Sequence, residues 1–152
     1  SFGRVAKRLG ISDRTVVYYF PTKSDLVGEV LVAMGVTLQG ALGEAFTEPA
    51  DDHRTLLRRA WPVVSDSSNE RIFALFFEAT GQAAAGHEPY AEIVPAIVEA
   101  WIDWTTGFIT GSDDHRRREA ERTVVLVDGL TLMQQVGPAG AADRVAAELG
   151  IA

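Results

Sequence analysis

The sequence predicts an all-α protein, and three observations carry that reading. Apolar residues recur at spacings of three and four along nearly the whole chain, β-branched alternation is nearly absent, and Gly, Pro, Asp and Ser punctuate the chain at helix-length intervals. Residues 1–25 read as a small head of two short helices, and residues 26–152 as a larger helical body reached through one long helix.

The elements follow in order. A first helix over residues 2–9 turns Val5, Ala6 and Leu9 inward and stops at Gly10, the residue that takes a left-handed backbone without strain. A second helix over residues 13–19 starts from Ser12, whose side chain suits an N-cap. Pro21 breaks the chain, and Thr22-Lys23-Ser24-Asp25 forms an Asp variant of the capping box that opens a long helix to Phe46. Its inner stripe is Val27, Leu31, Met34, Leu38 and Leu42. Gly28, Gly35, Gly40 and Gly43 lie inside it, each costing about 1 kcal/mol relative to Ala, so either close packing or a soft connection between head and body must offset them. Further helices are expected over residues 52–66, 70–86, 88–110, 114–136 and 139–149. Pro89 suits a first turn, whereas Pro62 and Pro95 fall inside their helices and should kink them. Thr110 to Arg118 reads as the most mobile loop.

Composition excludes several functions. The 152 residues are 47% hydrophobic, enough for a real core, and contain no cysteine, which removes disulfides, thiolate metal sites and cysteine nucleophiles. His53, His87 and His115 lie far apart, and there is no phosphate loop or Ser-His-Asp context, so an enzyme is not expected and neither is a cofactor or metal. No run of eighteen uncharged apolar residues occurs and the start lacks a signal-peptide pattern, which points to a cytoplasmic protein without a membrane partner. The net charge of −7 is unevenly spread. Residues 1–25 hold five basic and two acidic side chains, net +3, and the remainder nine basic and nineteen acidic, net −10. A basic head on an acidic body suits a reader of nucleic acid, because the head meets phosphate while the body orients the encounter.

Phe2 to Lys23 carries the motif. A helix-turn-helix needs a small residue where its helices touch, a glycine at the turn and apolar residues at fixed inward positions. Ala6, Gly10 and the set Val5, Leu9, Ile11, Val16 and Tyr19 meet those needs. The run from Gly10 to Leu26, Gly-Ile-Ser-Asp-Arg-Thr-Val-Val-Tyr-Tyr-Phe-Pro-Thr-Lys-Ser-Asp-Leu, resembles the signature of the tetracycline-repressor family. Val17, where that family usually has Tyr, is the one clear departure, and the body is similar to the family only in helix order and lengths. The family head has a further helix before these two, so the chain reads as an ordered part of a longer protein whose first helix is missing.

The resemblance implies that Ser12, Thr15, Tyr18, Tyr19 and Lys23 contact DNA phosphates, with Arg14 and Val17 facing base edges in the major groove. Physical reasons run the same way. Ser12 caps a helix whose free N–H groups favour phosphate, and Lys23 sits in a first turn where a cation opposes the helix dipole, so an external anion would explain it. Arg14 suits a bidentate contact to guanine, Val17 only a thymine methyl. Against this, Arg14 can pair with Asp13 or solvent. Phe20 reads as core, Tyr19 as core with its hydroxyl outward, and Tyr18 as exposed.

In the body, Trp61, Phe73, Phe77, Trp101, Trp104 and Phe108, with the polar Glu78 and Gln82, are the expected lining of a small-molecule site. Plain core is the alternative for the rings, and solvent for Glu78. Ala120 to Val136 is apolar over too wide an arc for one surface face. It resembles the family's dimerisation helix, with Val125, Asp128, Gly129, Leu132 and Val136 joined by Val145 and Leu149 of the last helix; a central helix of a monomer is the other reading. The function implied is a homodimeric bacterial transcriptional repressor, released from a palindromic double-stranded DNA operator by a small, largely apolar effector. A helical ligand-binding or protein-interaction module without DNA binding is the rival.

Overall fold

A computed structural model describes all residues, 1–152, and contains eight α-helices and no strand. They are α1 (Phe2–Leu9), α2 (Asp13–Tyr19), α3 (Lys23–Ala45), α4 (His53–Val64), α5 (Glu70–Ala84), α6 (Tyr90–Thr106), α7 (Asp113–Val136) and α8 (Ala141–Glu148).

Local chemistry sets most of the boundaries. Gly10 ends α1 at φ 68°, where a side chain would strain the backbone, and the Ile11 N–H closes the turn on the Ala6 carbonyl at 3.1 Å. The Ser12 hydroxyl accepts the Thr15 N–H at 3.1 Å and opens α2. At α3, Thr22 Oγ1 accepts the Asp25 N–H while Asp25 Oδ2 accepts the Thr22 N–H at 2.8 Å, a complete capping box. Asp52 and Ser112 cap α4 and α7 by single bonds, accepting the Thr55 and His115 N–H.

α7 is the centre of the body and packs against α4, α5, α6 and α8, while α3 lies across α4 and α6. The main core joins Leu38, Leu42 and Phe46 to Leu56, Leu57 and Trp61, and to Ile102, Ala120 and Leu130. A second, smaller cluster of Leu31, Ala79 and Val94 ties α3 to α5 and α6 nearer the head. Pro62 and Pro95 do lie inside helices, α4 and α6.

α3 is also the one helix long and apolar enough to cross a membrane by length and composition. In the fold its inward positions Leu31, Leu38 and Leu42 are buried, whereas Val30, Val32 and Val36 on the other side are exposed. Its glycines divide into two kinds. A Cβ on Gly28 would lie 3.8 Å from Ile93, and one on Gly35 3.7 Å from the Trp101 indole nitrogen, so both face α6 at ordinary contact distance without requiring glycine; Gly40 and Gly43 face open space.

Thr110 to Arg118 is not a loose loop. Ala50 and Ile109 form an isolated parallel bridge, in which Ala50 N–H donates to Phe108 O at 2.8 Å and Thr110 N–H to Ala50 O at 2.9 Å. Thr110 Oγ1 adds a 2.6 Å bond to Asp51, and α7 has begun by Asp113. Within α7, Arg117 reaches Glu99 and Asp103 of α6 as well as Glu121. Its contact holds the Glu99 carboxyl below the usual range. Where α4 meets α7, the buried Glu119 accepts the His53 N–H at 2.9 Å, faces His53 Nδ1 at 2.5 Å and pairs with Arg122. Burial alone pushes Glu119 up, but these partners outweigh it and hold the carboxyl below its ordinary value.

Candidate functional site

Three regions received sequence-predicted site residues: the head, the interior of the body, and the outer face of α7 and α8.

In the head, α1 and α2 pack on one another and bury only Ala6 and Val16. Asp13 comes within 3.1 Å of where a Cβ on Gly3 would stand, so the two helix starts touch closely. Val16 alone of α2 turns inward. The positions Arg14, Val17 and Tyr18 lie on the opposite side of the helix and are all exposed, Tyr18 at 79%. Ser12 and Thr15 link their hydroxyls at 2.8 Å at the N-terminus of the same helix. Lys23 is exposed and holds its ammonium 5.9 Å over the Tyr90 ring, so it already has an intramolecular partner.

The inward set expected of the head is only partly realised. Tyr19 is 69% exposed and stacks edge-on against Tyr18 at 5.2 Å instead of joining a core. Leu9, at 65%, and Ile11 are exposed as well. Two helices of eight and seven residues share one strip of contact, which Ala6 and Val16 fill, and nothing else in the chain covers the remaining apolar positions.

The body encloses a cavity between α3, α4, α5, α6 and α7. The cavity volume is about 80 Å³, within a wider empty space, open to solvent, of about 780 Å³. Of the rings expected to line it, Phe73, Trp101 and Trp104 do so; Phe46, Phe76, Leu31, Leu38 and Met34 complete much of the wall. Trp61 does not line it and is buried in the main core. Phe108 stands behind the wall, 4.7 Å from Trp104 and 5.0 Å from Phe46. Phe77 packs on the core beside Phe73. Glu78 and Gln82 face solvent, and Gln82 Oε1 accepts His87 Nδ1 at 2.8 Å. Their spacing of one turn puts both on the same, exposed side of α5, and neither lines the cavity.

Three polar side chains do face the cavity: Thr105, Thr123 and Asp128. Both hydroxyls are committed, Thr105 to the Trp101 carbonyl and Thr123 to the Glu119 carbonyl, each at 2.8 Å. Asp128 was expected at the dimer face and instead points inward, where no cation and no hydrogen-bond donor reaches its carboxyl. Burial among apolar side chains pushes that carboxyl up to about 6. In the sequence it sits among apolar neighbours like any helix residue, and the signal that distinguishes it is its four-residue offset from the partly buried Val124, which only the packing of α4, α5 and α6 on α7 reveals.

On the outside of α7, Val125, Gly129, Leu132 and Val136 form one stripe at spacings of four, three and four. All are exposed, Val125 at 67% and Val136 at 72%, and a Cβ on Gly129 would meet nothing. Exposed Val145 carries apolar surface onto the neighbouring α8. Leu149 departs from the expectation and packs against its own core. Comparison adds no identification: the chain matches no family model, no curated protein and no solved structure.

Proposed function

We infer that this chain is a cytoplasmic DNA-binding transcriptional regulator of the tetracycline-repressor type, in which the helix-turn-helix α1–α2 meets operator DNA, the body cavity binds a small effector, and the α7–α8 face pairs two copies. The observation that carries the reading is the division of α2. It buries Val16 alone and leaves Arg14, Val17, Tyr18 and Tyr19 uncovered on a helix whose N-terminus is capped by Ser12, within the basic part of an acidic chain. Exposed aromatic residues next to an arginine are poorly explained by stability and well explained by a phosphate backbone and base edges.

Two further features support it. The stripe Val125, Gly129, Leu132 and Val136 is the self-complementary kind of surface that a twofold axis buries, and DNA readers of this type dock as dimers on two half-sites. The cavity is walled in part by α3, the same helix that begins directly after the head. The reading as a repressor, and that of the operator as palindromic, follow from the sequence resemblance.

A mobility-shift titration with random genomic fragments, repeated across a salt series, tests the proposal. Retarded complexes that weaken steeply with salt and select particular fragments are expected. Absence of any shift at micromolar protein and low salt favours a helical small-molecule-binding module instead.

A further inference from the structure

The polar groups in the cavity wall are unusually one-sided. Thr105 and Thr123 have given their hydroxyl protons to backbone carbonyls and offer only lone pairs. Asp128 is acceptor-only when ionised, and it is the single titratable side chain in the wall: α3, α4, α5 and α6 contribute none. The indole N–H groups of Trp101 and Trp104 are the remaining donors, and both are neutral. A half-buried carboxylate among apolar side chains without a partner is costly, and the cavity holds no group of its own to neutralise it. What the wall lacks is a cation attached to apolar surface. Its rings, Phe73, Phe76, Trp101 and Trp104, favour a cation over an anion as well, through their negatively charged faces.

Resting on the reading of this cavity as an effector site, we propose that it takes a compact hydrophobic amine, whose protonated nitrogen sits against the Asp128 carboxylate while its apolar part lies among Phe73, Trp101 and Trp104. Size supports a compact ligand. The cavity volume of about 80 Å³ is roughly half that of a cavity that accepts benzene, so a ligand of one ring with a short arm is the upper size and must lie partly in the open space toward the mouth. A carboxylate ligand meets a like charge at Asp128 and no compensating cation. A neutral ligand of the same shape leaves the carboxyl unpaired.

The test is titration calorimetry of the whole chain with three probes of one shape: 2-phenylethylamine, 2-phenylethanol and 3-phenylpropionate. At pH 7.5 the amine is expected to bind at least about tenfold more tightly than the alcohol, and the propionate most weakly. In Asp128→Asn the amine should fall to within about threefold of the alcohol. The wild-type chain supplies the same test without a substitution. At pH 5, one unit below the Asp128 value of about 6, most of the carboxyl is protonated, and amine affinity should drop by about tenfold while alcohol affinity holds. Alcohol or propionate binding as well as the amine, or an Asp128→Asn protein that keeps its amine preference, overturns the proposal and leaves the effector site standing. Failure of all three probes overturns both, whereas the DNA-binding reading stands or falls on the mobility shift.

Discussion

Asp128→Asn should make the body more stable at neutral pH, and the size of the gain follows from where the carboxyl lies. Its pKa is raised to about 6 in the folded chain from an ordinary 3.8. The native state therefore holds a proton that the unfolded chain has released, and between these two values stability falls as pH rises. The contribution is fully present below pH 3.8 and lost above about pH 6. Two units at about 1.4 kcal/mol each give about 3 kcal/mol, reduced toward 2 by the partial access of solvent to this residue. Asn keeps the shape and removes the titration. Its amide has its own desolvation cost, but that cost does not vary with pH, and every other titrating group is common to both proteins. Urea unfolding of both proteins at pH 4 and pH 8 isolates the effect. The stability of the variant relative to wild type should improve by about 2–3 kcal/mol between the two pH values. A gap independent of pH would mean that Asp128 is hydrated or paired, and would remove the basis for a cation-seeking cavity.

Other consequences are open to measurement. Glu119→Gln removes the charge that holds His53 and Arg122 at the α4–α7 junction and should lower stability by about 1–3 kcal/mol in urea unfolding at pH 7. Because the Glu119 carboxyl is held below 4.5, wild type keeps this contribution above that pH and loses it on further acidification, so the difference between the two proteins should shrink as pH falls through the folded-state value. Leu132→Asp places a charge in the exposed α7 stripe and should turn a dimer into a monomer in sedimentation, with little change in helicity. Lys23→Ala should weaken DNA binding equally for all sequences and flatten the salt dependence by about one unit, whereas Arg14→Ala should cost about 1–3 kcal/mol and relax preference at one base pair. Unchanged base preferences in Arg14→Ala would remove that residue from the groove.

What the sequence discloses and what it hides divide along local and non-local physics. Helix starts and stops at Ser12, Thr22 with Asp25, and Gly10 depend on neighbours three or four positions away, so spacing alone reveals them. The connection around Thr110 looks loose in sequence because its order comes from Ala50 and Asp51, and from α6 carboxylates gripping Arg117. Aromatic content announces a cavity wall but not which rings stand in it. Phe73 and Phe77 share a face of α5, yet only Phe73 reaches the free space. The place of Asp128 is hidden for a related reason: α7 is apolar on two sides, and periodicity cannot tell which side meets α4, α5 and α6 and which remains bare.

The capping box at Thr22 has a mechanical consequence. It starts α3 without slack beside the head, and the same helix continues into the cavity wall at Leu31, Met34, Leu38 and Leu42. Lys23 and Leu38 stand fifteen positions apart, about 22 Å along a helix axis. A tilt of about 5° at the deep end would thus carry the near end through about 2 Å, comparable to the tolerance of a hydrogen bond in a DNA groove. A molecule too small to reach the surface could in this way displace a contact far from it, and two copies tilting in opposite senses would double the change in span.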